Sequence, residues 1–187
     1  MDQFSRTRQL LGNDAMEKIQ KAKVGVFGLG AVGSFALEAL ARSGVGHLCL
    51  VDFDRVDASN INRQLLALHS TLDKEKAALA KARVKDINPR CKVDVHHAFI
   101  NADSLPDLLE EDMDVVVDAI DGLNSKVNLL VKAREMNLPI VSSMGAGGRI
   151  DVSKVTTGDI SETEICPLAR VVRRRLRRRN VHEGIQT

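Results

Sequence analysis

Residues 23–46 read KVGVFGLGAVGSFALEALARSGVG, and this stretch decides the fold. Lys23 to Phe27 is a short, β-rich apolar run of strand length. Gly28-Leu29-Gly30-Ala31-Val32-Gly33 then has GxGxxG spacing. From Ala31 to Ser43 the apolar residues Val32, Phe35, Ala36 and Leu40 recur at helical spacing, until Gly44 and Gly46 stop the helix. Alone, GxGxxG says little. Between a strand and a helix it has a physical use, because the glycines permit a tight turn and close backbone approach. The free N–H groups and positive dipole end of the helix then receive phosphate. Gly28, Gly30 and Gly33 therefore read as the phosphate loop of a nucleotide site.

Further along, His47 to Val51 is a second strand closed by Asp52-Phe53-Asp54. Asp52 lies 19 residues after Gly33, where a carboxylate accepts hydrogen bonds from both ribose hydroxyls. That geometry suits NAD and ATP equally. Residues 55–73 read as a loop with short helical turns, and Lys74 to Ile87 as a helix stopped by Asn88-Pro89. Lys92 to Phe99 is a third strand, 103–111 a helix, and Val115 to Val117 a buried strand before Asp118-Ala119-Ile120-Asp121. Ser125 to Asn137 is helical, and Pro139 to Ser142 begins a fifth strand. Strands alternating with helices predict a Rossmann-type, doubly wound, mostly parallel α/β sheet with helices on both faces. A single domain is expected: an N-terminal helical arm over 1–22, a core over 23–150, and a loop with a basic helix over 151–187.

The 187 residues are 44% hydrophobic and 28% charged, an ordinary globular balance. Trp and Tyr are absent, so aromatic stacking platforms are scarce. Cys49, Cys91 and Cys166 are scattered and form no CxxC pair, which argues against a zinc ribbon and fits reduced thiols. The N-terminal MDQFSRTRQLLGNDAM has no apolar signal core, and no apolar run approaches the ~20 residues of a membrane span. A cytoplasmic protein that keeps off membranes is expected.

The residues after Asp54 separate ATP from NAD. Asp57-Ala-Ser-Asn60-Ile-Asn62-Arg63-Gln64 and then Lys76 put two cations and several amides just past the ribose-binding strand. A dehydrogenase needs a catalytic His, Lys or Tyr near nicotinamide and has no use for these cations. A triphosphate does. Asp121 ends the fourth strand on the same carboxyl edge as Gly28 and Asp52, placed to hold Mg2+ across phosphate oxygens. His69, beside Ser70-Thr71, reads as structural.

DFDRVDASNINRQLLALHSTLDKEK (52–76), with GLGAVG (28–33) before it and DAIDGLNSK (118–126) after it, resembles the ThiF/MoeB/HesA superfamily. Its members are bacterial relatives of ubiquitin-activating enzymes and adenylylate a carboxylate with MgATP. The similarity covers roughly residues 4–150. It implies that Gly28, Gly30 and Gly33 hold phosphate and Asp52 the ribose. Asn60 and Arg63 contact the triphosphate with help from Gln64, Lys76 binds phosphate, and Asp121 handles magnesium. Arg6 matches an arginine that reaches a partner subunit's ATP, which implies a homodimer and puts Arg6 beside Arg63, Lys76 and Asp121 in the catalytic set. On the residues alone, Arg6 sits on an arm that reads as mobile. A sulfur-relay protein partner also belongs to the family's range.

Phe4-Ser-Arg-Thr7, Ala41-Arg-Ser-Gly44-Val-Gly46, Gly158-Asp-Ile-Ser161-Glu-Thr163 and Pro167-Leu-Ala-Arg170-Val-Val-Arg173 are similar to one branch. That branch dehydrates threonylcarbamoyladenosine in tRNA: the threonyl carboxylate is adenylylated, and loss of AMP closes a ring. Arg173-Arg174-Arg175-Leu176-Arg177-Arg178-Arg179 holds six arginines in seven residues, a strong positive patch for a phosphate backbone. Leu168, Val171, Val172 and Leu176 form an apolar stripe, so a helix is predicted with its arginines mostly toward water. Arg174, Arg175, Arg178 and Arg179 are the expected tRNA contacts. Arginines near Cys166 are expected to lower its pKa, but ring closure by an internal nucleophile needs no enzyme thiol. Two alternatives stay open. One is adenylylation of the C-terminal glycine of a ubiquitin-like sulfur carrier, in thiamine or molybdopterin chemistry. The other is a non-catalytic nucleotide-binding module. The sequence ends at Gly184-Ile-Gln-Thr187, in a stretch that reads as entering a strand, and by the resemblance it is expected to lack C-terminal strands of the family.

Overall fold

The computed structural model describes residues 2–187. Five strands, β1 Lys23–Phe27, β2 His47–Val51, β3 Lys92–His96, β4 Val115–Asp118 and β5 Ile140–Ser142, form one parallel sheet in the order β3-β2-β1-β4-β5. The winding direction reverses between β1 and β4. Their carboxyl ends therefore open a crevice, where ligands bind in such sheets. The doubly wound α/β reading of the sequence holds.

Strand alternation explains the two cores. Val24, Val26, Leu48 and Leu50 point to one face and pack with Leu37 and Ala41 of α3 (Gly33–Ser43) and Ala77, Ala80 and Val84 of α4 (Lys76–Ile87). Phe27, Cys49, Val51 and Val116 point to the other. There α5 (Leu105–Leu108), α6 (Leu123–Glu135) and α7 (Pro167–Arg177) bury Leu105, Leu129, Leu130, Val172 and Leu176. Burial pushes the Cys49 thiol up to about 12 and the Cys91 thiol up to about 11, so both are inert packing residues.

Several boundaries differ from expectation for traceable reasons. Helix α4 begins at Lys76, not Lys74, because Lys74 accepts a bond from the Val56 amide and Glu75 bridges Arg55. Strand β3 ends at His96, not Phe99, because β2, its only neighbour, ends at Val51 in register with His96. The helix expected over 103–111 is one turn. Past it Glu110 and Asp112 are drawn to the Lys23 ammonium, at 2.7 Å each.

The N-terminal arm packs on the core. It forms two helices, α1 Ser5–Leu11 and α2 Asn13–Lys21, broken at Gly12 with φ +85°. Phe4 and Met16 are buried against Gly44, where an added Cβ would meet Met16 Cε at 2.5 Å. At the other end, Gln186 bridges Val141 in parallel beside β5, as the strand-entry reading predicts. Among the described residues no helix is long and apolar enough to cross a membrane.

Candidate functional site

The crevice between β1 and β4 is built on glycine. Gly28 has φ +90°, and a Cβ there would lie 2.8 Å from the Ala119 carbonyl of the β4 turn. A Cβ on Gly33 would lie 1.7 Å from the Gly28 carbonyl, so the start of α3 sits directly on the loop. Gly30 differs: the nearest atom to its Cβ would be Gln64 Nε2 at 3.7 Å, and its face of the loop is open. The Ser34 hydroxyl donates to the Gly30 carbonyl at 2.6 Å and accepts from the Leu65 amide at 3.1 Å. It thereby ties the loop to the Asn60–Gln64 segment.

Asp52 is buried and braces this loop. Its Oδ2 accepts from the Leu29 amide at 2.6 Å and its Oδ1 from the Asp54 amide at 2.7 Å. Burial pushes its carboxyl above the usual range, against the pull of those two amides and of Lys76. Each oxygen keeps a free lone pair for a ribose hydroxyl. Lys76, the first residue of α4, is only 3% exposed and donates to Asp54 Oδ2 at 2.8 Å, so it is not a solvated lysine of a charged helix.

Gln64 is buried, and its Oε1 has no hydrogen-bond partner among the described residues. Leaving such an acceptor unpaired costs about 1–3 kcal/mol, while the Gln64 Nε2 donor is the atom nearest the open face of Gly30. Asn60 and Arg63 lie on the approach to Gln64. Asn60 Oδ1 accepts from the Asp57 amide at 3.2 Å, capping a short turn, and exposed Arg63 donates to the Ser59 carbonyl at 2.9 Å and Asn62 Oδ1 at 3.0 Å. Exposed His69 opens another short turn, in keeping with a structural role.

Asp121 stands exposed at the β4 side of the crevice. Among the described residues no three His, Cys, Asp or Glu side chains cluster as a cage. The donor set fits Mg2+ as that ion is usually held, by one or two carboxylates plus phosphate oxygens and water. Arg6 does not join these residues. It follows Phe4, which packs on Gly44 at the amino end of β2, and five strand residues (about 17 Å) separate that end from the carboxyl edge.

The basic helix forms as predicted, with Ala169, Val172 and Leu176 buried. Its arginines are not equivalent. Arg175 donates to Asn124 Oδ1 and Arg179 to Asn128 Oδ1, both on α6, while Arg173 donates to the Thr163 carbonyl and hydroxyl. Arg174, Arg177 and Arg178 are exposed. A concavity of about 510 Å³ between α6 and α7 is lined by Asn124, Val127, Asn128, Arg175, Arg178 and Arg179. Asn124 lies three residues past Asp121, at most about 11 Å away along the chain, so the arginine face adjoins the crevice.

Cys166 caps α7, its Sγ accepting from the Ala169 amide at 3.4 Å. Burial pushes this thiol up, but the amides at the start of α7 outweigh it, and the net pKa is lowered. Arg149 adds the only arginine contribution. The expectation that arginines set this thiol is thus corrected in favour of the helix N-terminus.

Sequence reasoning missed Ser34, Asp54 and one buried group. Asp118 and Lys126, both fully buried, pair at 2.7 Å, and the Ser142 hydroxyl donates to Asp118 Oδ2 at 2.6 Å. Burial raises the Asp118 carboxyl against the opposing pull of Lys126, Ser142 and the Ile120 amide. The signal was present: in DAIDGLNSK an acid closes a strand eight residues before a lysine on the apolar face of a helix.

Comparison with known proteins places this geometry. The ThiF family profile matches residues 4–185. The tRNA threonylcarbamoyladenosine dehydratase of Bacillus subtilis (strain 168) is 42% identical over 186 residues, 100% of this chain and 73% of that protein. The enzyme of the same name from Escherichia coli (strain K12) is 37% identical over 174 residues, 93% of this chain and 65% of that protein. A crystal structure of E. coli tRNA N6-threonylcarbamoyladenosine dehydratase in complex with ATP superposes with a TM-score of 0.94 at 34% identity, covering 98% of this chain and 79% of that one. The family profile runs from the N-terminal helices through α7, and on these matches the chain belongs to the ThiF family.

Proposed function

We propose that this chain adenylylates a carboxylate with ATP, and that the carboxylate is the threonyl group of threonylcarbamoyladenosine in tRNA, followed by cyclising dehydration. The observation that carries the reading is the convergence of the glycine loop, Asp52 and the buried Gln64 amide, whose Nε2 donor faces Gly30, at the switch point, in a fold matching an ATP-bound dehydratase. Bound ATP would supply the adenylyl group to a carboxylate oxygen, with pyrophosphate leaving from the α-phosphorus. Gly28, Gly30 and Gly33 would hold its phosphates and Asp52 orient the ribose; Asn60 and Gln64 would donate to the triphosphate, Arg63 and Lys76 neutralise it, and Asp121 hold Mg2+. An internal nucleophile of the modified base then displaces AMP, and the net change is loss of water. Calorimetry tests the nucleotide: MgATP is expected to bind more tightly than NAD, and the reverse order overturns this reading.

The tRNA assignment rests on α7. Among the described residues no carboxylate lies within 4.0 Å of any α7 arginine, so their charge is free for phosphate. A carrier's C-terminal tail has no use for such a face. Each duplex phosphate neutralised adds roughly −0.9 to the slope of log affinity against log salt. Replacing Arg174, Arg175, Arg178 and Arg179 by Ala is expected to flatten that slope by about three while leaving ATP affinity unchanged. A surviving slope reduces the arginines to a solvated face.

Arg6 enters as a residue in trans. It lies at the amino edge of its own sheet, so a homodimer is the arrangement that brings it to a phosphate loop, that of the second copy.

A further inference from the structure

We infer that the buried Asp118–Lys126 pair is a positioning unit, which aims Asp121 at the metal. The inference rests on the adenylylation reading above. Asp118 Oδ2 accepts from Lys126 Nζ at 2.7 Å and from the Ser142 hydroxyl at 2.6 Å, and its Oδ1 accepts from the Ile120 amide at 3.1 Å. Lys126 Nζ also donates to the Ser143 carbonyl at 3.0 Å, and the Ser143 amide donates to the Asp118 carbonyl at 2.9 Å. One carboxylate and one ammonium thus join the end of β4, the turn after it, the first turns of α6 and the end of β5.

That turn is where the site is exacting. Ala119 donates to the Phe27 carbonyl at 2.9 Å, and its backbone is the surface Gly28 packs on, 2.8 Å from an added Cβ. The Ala119 methyl stands 3.2 Å from the Cβ position of Gly33. Asp121 follows Ile120, whose amide Asp118 holds, so the direction in which Asp121 leaves the sheet is set by that bond.

Stability does not explain the pair. A buried ion pair roughly breaks even against apolar residues of similar volume, because both charges lose their water. What an apolar pair lacks is an acceptor for the Ile120 amide and a donor for the Ser143 carbonyl. Neither side chain is exposed, so the pair acts through Asp121, without touching substrate.

The test is calorimetric titration of the 187-residue chain with ATP, in excess Mg2+ and in EDTA. The ratio of the two affinities reads the metal contribution. It is measured for the wild type, Asp121→Ala, Lys126→Met and the double variant Asp118→Leu/Lys126→Met. Groups that orient a metal-binding residue typically account for about 10–100-fold in metal affinity. Lys126→Met and the double variant are therefore expected to lose about tenfold of the Mg2+ enhancement, with ATP affinity in EDTA changed much less. The double variant removes both charges together, so it folds where the single change leaves a carboxylate buried alone. A double variant with the full wild-type enhancement, when Asp121→Ala has lost it, overturns the positioning role and leaves the functional reading intact. Undiminished enhancement in Asp121→Ala instead removes Asp121 from the metal site, and both readings of it fall.

Discussion

Arg63→Ala is expected to slow adenylylation by about a thousandfold while leaving the folded state as stable as the wild type. The stability half follows from what Arg63 touches. It is exposed, and among the described residues its side chain bonds only to the Ser59 carbonyl and Asn62 Oδ1 on its own loop. Surface changes of that kind are usually within about 0.5 kcal/mol. The rate half follows from the place of Arg63 in the chain. It immediately precedes buried Gln64, whose Nε2 is the atom nearest the open face of Gly30, and cations at phosphoryl-transfer sites contribute about 10³-fold or more. Asp121→Ala belongs to the same class, being exposed and needed only when the metal is present. Lys76→Ala does not: Lys76 is buried and paired with Asp54, so its loss costs stability and rate together. Release of AMP with modified tRNA, measured beside thermal unfolding, checks all three. A near-normal rate for Arg63→Ala removes this arginine from the mechanism.

Two glycines give the second large contrast. Gly33→Ala is expected to damage both folding and ATP binding, and Gly30→Ala to damage ATP binding alone. The Gly33 methyl would fall 1.7 Å from the Gly28 carbonyl, a backbone atom that no rotamer change can move aside. The loop must open or α3 must shift, and such overpacking costs about 1–3 kcal/mol or more. The Gly30 methyl would meet only Gln64 Nε2, at 3.7 Å, an ordinary contact. The fold accepts it, but the methyl stands where a phosphate must approach the backbone. A tenfold loss of ATP affinity, about 1.4 kcal/mol, is the smallest effect expected there. Wild-type ATP binding by Gly30→Ala places the phosphates elsewhere.

The phosphate loop, Asp52 and the order of strands and helices were legible in the sequence because each is a local matter. Periodicity of two or 3.6 reports which side of an element is apolar, and GxGxxG needs only a strand before it and a helix after it. The boundaries that moved did so where distant residues intervened. Lys74 and Glu75 are engaged by Val56 and Arg55, and β3 stops where its neighbour stops.

From the sequence alone one can determine that this is a doubly wound α/β nucleotide-binding fold, where its phosphate loop lies, and that its C-terminal helix is basic. Tertiary structure alone decided which charges are buried and which residues meet. Lys126 meets Asp118 only when α6 lies on the sheet and closes over both. That Arg175 and Arg179 are held by Asn124 and Asn128 appears only when α7 packs beside α6, 51 residues earlier in each case. That Arg6 can serve only a second copy's site follows from Phe4, which seats its arm at the far edge of its own sheet. In each case the deciding interaction is between residues far apart in the chain. Whether a charge keeps its water depends on what packs over it, which the residues beside it in sequence do not determine.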